Sequence, residues 1–162
     1  TNEPYGESPV STAMGAYFNK KAYTDPALRR KYTRMGFWVN IRLIRYPDVL
    51  LMAAESANEK GLMGEASGYL EQVRAHARGT LTNVLPKVES LDQSVLREAI
   101  RHERRVELGL EPDRFYDLVR WGIAQEVLQA AGKNYQPKNA LLPLPQTEID
   151  KSNGVLVQNP DY

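Results

Sequence analysis

Residues 46–79 read YPDVLLMAAESANEKGLMGEASGYLEQVRAHARG, and the spacing of their apolar positions decides the fold. Tyr46, Leu50, Ala53 or Ala54, and Ala57 recur at steps of three and four, which lays one apolar stripe along a helix from about Tyr46 to Lys60. Pro47 stands in the first turn, where its missing amide donor is tolerated. Gly61 supplies the stop, since glycine readily takes the left-handed conformation after a last turn. Ala66, Leu70, Val73 and Ala77 keep the same spacing through a second helix, from about Gly64 to Arg78, with Gly79 behind it. Two amphipathic helices with so short a link bury both stripes by folding back antiparallel, so residues 41–79 predict a helical hairpin.

The pattern returns downstream. A connector from Thr80 to Ser90 contains Pro86, and a third helix is expected from about Leu91 to Leu108, with Ser90 and Gln93 placed as a capping box. After Gly109 and Pro112 a fourth helix is expected from about Asp113 to Ala131, ending at Gly132, with Phe115, Val119, Ile123 and Val127 as its stripe. Residues 91–132 therefore predict a second antiparallel hairpin. The fold class is mainly α and tetratricopeptide-like in architecture, although the glycine and tyrosine positions do not follow that repeat's signature.

The flanks differ. Residues 1–40 lack a sustained helical period, carry Pro4, Gly6, Pro9, Gly15, Pro26 and Gly36, and hold Tyr5, Tyr17, Phe18, Tyr23, Tyr32, Phe37 and Trp38. They read as an irregular aromatic segment. Residues 133–162 read as an extended tail, because Pro143 and Pro145 push their predecessors toward extended backbone. Thr147 to Asp150 fit one short turn of helix, and Asn153-Gly154 is a turn signal.

Composition narrows the function classes. Lys plus Arg number 21 against 20 Asp plus Glu, so the basic excess of a nucleic-acid binder is missing. There is no cysteine, which removes disulfides, thiolate metal sites and a thiol nucleophile from the 162 residues. The longest apolar run, Val49 to Ala54, is six residues, far short of the ~20 that span a bilayer as a helix. The sequence starts at Thr1 rather than Met and shows no charged segment with an apolar stretch resembling a signal peptide, so the expectation is a processed or excised piece of a longer protein.

Candidate chemistry is sparse. His102-Glu103 begins like a zinc-protease motif, but Val106 stands where the second histidine belongs. A carboxylate-bridged di-metal site wants Glu three residues before His, and Val73 and Ala99 occupy those places before His76 and His102. No metal or other cofactor is expected, and both histidines read as surface residues. Glu103 is the notable position: the third helix's stripe runs Leu96, Ala99, Glu103, Val106, Leu110, which puts a carboxylate on the buried face. An unpaired charge there is very costly. Arg104, Arg114 and Arg120 are the candidate partners, through a bidentate fork. The catalytic alternative, an acid with a raised pKa, lacks a second base or nucleophile, so a structural ion pair is the reading. Arg29-Arg30-Lys31 and Arg101 with Arg104-Arg105 are short basic clusters, the second interspersed with Glu98, Glu103 and Glu107 as an ordinary solvated face. For ligand contact, Tyr17, Tyr23, Tyr32 and Trp38 are the candidates, since aromatic rings stack on the apolar faces of sugars.

Six stretches, in order, resemble the C-terminal region of the SusD/RagB family. Residues 41–55, IRLIRYPDVLLMAAE, are similar to the family's "IRYADVLLMYAEA" segment, with Pro47 and Ala53 as departures. Ala66, Tyr69-Leu70 and Val73-Arg74 resemble its next helix. Residues 96–108, LREAIRHERRVEL, resemble "IRHERRVELAFEG", and residues 113–122, DRFYDLVRWG, resemble "RFFDLVRWG". Residues 141–150, LLPLPQTEID, resemble "LLPIPQSEID", and the closing QNPDY resembles "QNPGY", with Asp161 in place of the usual glycine. The resemblance implies a non-enzymatic lipoprotein on the outer surface of Bacteroidetes outer membranes. It implies binding of glycans or other nutrients for uptake through a SusC-like TonB-dependent transporter, in polysaccharide utilisation. It also implies an absent N-terminal half carrying the lipidated cysteine. The matched motifs belong to scaffold, so no ligand residue carries over. The rival readings are a helical-repeat module that binds protein without glycan affinity, and a hydrolase using Glu103.

Overall fold

A computed structural model describes Asn19, Lys21 and residues 42–162. Among these residues the regular structure is helical: α1 (Tyr46–Glu59), α2 (Met63–Arg78), α3 (Gln93–Glu107), α4 (Arg114–Arg120), α5 (Ala124–Ala130) and α6 (Gln146–Lys151), with a 3₁₀ turn at Pro137–Ala140. The mainly helical class inferred from periodicity is therefore the observed one. The chain forms two compact units, Thr1–Leu110 and Glu111–Tyr162.

In the first unit α1 and α2 pack on each other as the expected hairpin, and α3 joins them as a third helix packed on both. Gly61, at φ +77°, makes the reversal after α1. Its amide donates to Asn58 O and that of Leu62 to Ala57 O, at 3.0 and 2.9 Å, a paired closure of the last turn that needs a left-handed residue at this point. Leu50, Leu51, Ala54 and Ala57 from α1, Ala66, Leu70 and Val73 from α2, and Leu96 and Ile100 from α3 make one buried cluster. Several expected stripe members fall outside it, Leu110 at 63% exposure among them. Tyr46 is 70% exposed and Ala77 is exposed, while on α3 the buried face turns from Val106, 59% exposed, toward Ile100 and Arg104. Period alone gives the stripe's direction but not its edges, and a third helix shifts which flank is covered.

The connector between α2 and α3 is irregular but tied down. Arg78 donates to Leu85 O at 2.9 and 2.6 Å, Arg74 to Pro86 O at 3.3 and 2.9 Å, and Ser67 Oγ to Val88 O at 3.3 Å. α3 begins two residues later than expected and is capped by Asp92, not by a Ser90–Gln93 box. Asp92 Oδ1 accepts from Ser94 N and Val95 N at 2.9 and 3.0 Å, which satisfies two otherwise orphaned amides. Ser90 Oγ instead accepts from Asp92 N, and Gln93 Nε2 donates to Asn58 O at 2.7 Å.

In the second unit the single helix expected over 113–131 is broken into α4 and α5 at Trp121-Gly122-Ile123. Gly122 has φ +71°, with Ile123 N donating to Leu118 O and Gly122 N to Val119 O, both at 3.0 Å. This is the same closure as at Gly61. The turn folds α5 onto α4 around Leu118, Ala124 and Tyr135, with Phe115, Val119, Ile123, Val127 and Leu128 packed against them. The tail is extended between short turns, as its prolines dictate. The side-chain amide of Gln158 accepts from Leu144 N at 2.8 Å and donates to Leu144 O at 2.9 Å, in the manner of a neighbouring strand. Asn159 Nδ2 donates to Leu142 O at 2.6 Å and Tyr162 Oη to Leu141 O at 3.0 Å. The LLPLP and QNPDY segments are thus two halves of one clasp. Asp161, where the resembled pattern has glycine, sits at φ +67°.

Candidate functional site

The densest polar construction among the described residues is the face where α3 meets α1 and α2. Asp48 accepts from Arg104 Nη1 at 2.8 Å, and both residues are buried. Arg45 donates from Nη1 to Glu107 Oε1 at 2.7 Å and from Nη2 to Glu107 O at 2.9 Å. Glu59 accepts from Arg97 Nε and Nη2, each at 2.7 Å, a bidentate pair. Asn58 Nδ2 donates to Gln93 O at 3.1 Å. Arg45 and Asp48, at the start of α1, pair with Glu107 and Arg104 at the end of α3, while Asn58 and Glu59 at the end of α1 meet Gln93 and Arg97 at the start of α3, so the two helices run antiparallel.

Glu103 is buried at 3% exposure, and its carboxylate accepts from Arg74 Nη1 of α2 at 2.6 Å. The expected partners are corrected accordingly. Arg104 follows Glu103 by one residue, which turns it about 100° around the helix, and it donates to Asp48. Arg114 and Arg120 belong to the second unit. There Arg120 donates to Asp117 Oδ1 at 2.9 Å, and the Arg114 and Arg120 guanidinium carbons lie 5.8 and 4.9 Å from the Trp121 ring centre, within cation–π range. Arg74 and Asp48 are the residues that sequence reasoning missed. The signal for Arg74 was its place beside Val73, at the edge of the α2 stripe.

The titration shifts on this framework are local. The Arg97 guanidinium holds the Glu59 carboxyl below its ordinary range, and Arg97 is raised in turn. The Ser94 hydroxyl, then the Val95 and Ser94 amides, lower Asp92 by hydrogen-bonding its charged form, and the Glu71 carboxylate raises Arg78. Each arrangement fixes a helix end or a loop. Glu103 itself presents a buried carboxylate paired with the Arg74 guanidinium.

The ligand-contact candidates Tyr17, Tyr23, Tyr32 and Trp38 lie outside the described residues. His76 and His102 are exposed. Two residues of the N-terminal segment are placed: Lys21 Nζ donates to Glu107 O at 2.6 Å and Gly109 O at 3.3 Å, and Asn19 Nδ2 to Leu110 O at 3.0 Å. A cation at the carboxyl end of α3 complements the helix dipole. Among the described residues no helix is long and apolar enough to cross a membrane.

The sequence profile of the SusD family matches residues 1–162, the whole of this helical scaffold and its clasped tail. The chain belongs to the SusD family. It is 39% identical over 153 residues to a SusD-like protein of Formosa agariphila, covering 90% of this chain and 27% of that protein. A second SusD-like protein of the same organism is 36% identical over 127 residues, covering 74% and 25%. The crystal structure of a SusD homolog from Bacteroides thetaiotaomicron superposes with a TM-score of 0.68 at 30% identity, over 82% of this chain and 30% of that one. The chain thus spans about a quarter to a third of the length of these relatives.

Proposed function

We propose that this chain is the helical part of a non-catalytic protein that binds nutrients, oligosaccharides or polysaccharides, at the bacterial outer-membrane surface. The captured ligand passes to a SusC-like TonB-dependent transporter. The observation that carries this reading is the SusD family match along the whole chain, together with a shared helical fold at 30% identity. The charge arrangement supports the non-catalytic half of it, because Glu103 is consumed by Arg74. In this reading α1 to α3 are scaffold, and Tyr17, Tyr23, Tyr32 and Trp38 are the residues that meet sugar.

A second reading, a protein-binding helical module without glycan affinity, draws on the exposed apolar side chains of Tyr46, Val49 and Met52 on α1. A glycan array probed with this chain and with a full-length family member separates the two. Binding by the chain that falls at least about tenfold in Trp38→Ala, where one base-sized aromatic stack is worth about 1–3 kcal/mol, supports sugar contact in the N-terminal segment. Binding by the full-length protein alone moves the sugar site off this chain. Silence from both overturns the glycan reading and leaves the protein-binding one.

A further inference from the structure

We draw no further inference here: the strongest candidate, the exposed apolar patch of Tyr46, Val49 and Met52 on the first helix with Leu43 and Ile44 just before it, carries nothing because nothing in the structure shows what covers it.

Discussion

Glu103 shows how far a single residue can be read from sequence. Its place on the α3 stripe is legible as a carboxylate among apolar neighbours, because helical period fixes which way a side chain points. The partner is not legible, because period says nothing about which residue of another helix lies opposite. That depends on the rotation and register of α2, through which Arg74 arrives at 2.6 Å. Removing one member of a buried pair leaves the other charge stranded, at about 3–5 kcal/mol. Arg74 also holds Pro86 O, so Glu103→Gln is expected near the low end, about 3 kcal/mol, measured from the shift in urea midpoint at unchanged slope. The double variant Glu103→Leu with Arg74→Met is expected to regain most of that loss, since a well-packed apolar pair often replaces an ion pair at little cost. Wild-type stability in Glu103→Gln would remove the pair from the list of forces that hold α2 to α3.

At the scale of the element, the two misread helix ends have different causes. Ser90 and Gln93 satisfied a capping pattern in sequence, yet Asp92 stands closer to the first turn and carries a charge. It accepts from two amides at once, and Gln93 is drawn instead to Asn58 O. The Asp92 carboxyl is held below its ordinary range, so the cap's contribution is fully present above the unfolded carboxylate pKa, about 3.9. It is lost as pH falls through the lower folded value. The melting temperature of Asp92→Ala is therefore expected to lie below wild type by a constant gap near neutrality, and the gap is expected to close in strong acid. A gap independent of pH down to full protonation would contradict the charged cap. Gly122 was hidden for another reason: Phe115, Val119, Ile123 and Val127 keep helical spacing straight through it, so the stripe masked the break. The structure turns the chain there at φ +71°. A methyl group built on Gly122 meets nothing within 4 Å, so Gly122→Ala tests backbone conformation alone. A cost of about 1 kcal/mol is expected, read by thermal unfolding, whereas a stabilised variant would mean that α4 and α5 merge into the single helix that the spacing suggests.

For the whole molecule, the distribution of core decides how stability is shared. Nine buried apolar side chains from three helices meet in the first unit, while the second gathers only Leu118, Ala124 and Tyr135. Apolar burial is the main favourable force in folding, and a unit as small as Glu111–Tyr162 is near the size at which a core alone becomes marginal. What the second unit has in its place is polar: the Gln158 amide on Leu144, Asn159 on Leu142, and Tyr162 on Leu141. None of this was readable from the proline pattern, which foretold an extended tail but not that its end would return to hydrogen-bond its beginning. Exposed hydrogen bonds open more readily than those over a packed core. Hydrogen exchange followed by mass spectrometry is therefore expected to show slow amides around Leu51, Leu70, Leu96 and Ile100. Exchange at least about tenfold faster is expected across Glu111–Tyr162, because each 1.4 kcal/mol of opening free energy is a factor of ten and local openings span from near zero to the global value. Gln158→Ala should speed exchange at Leu144 further while leaving α1 to α3 unchanged. Uniform protection across both units would show instead that they open as one cooperative body, and the small core of the second unit would then have to draw its stability from the first.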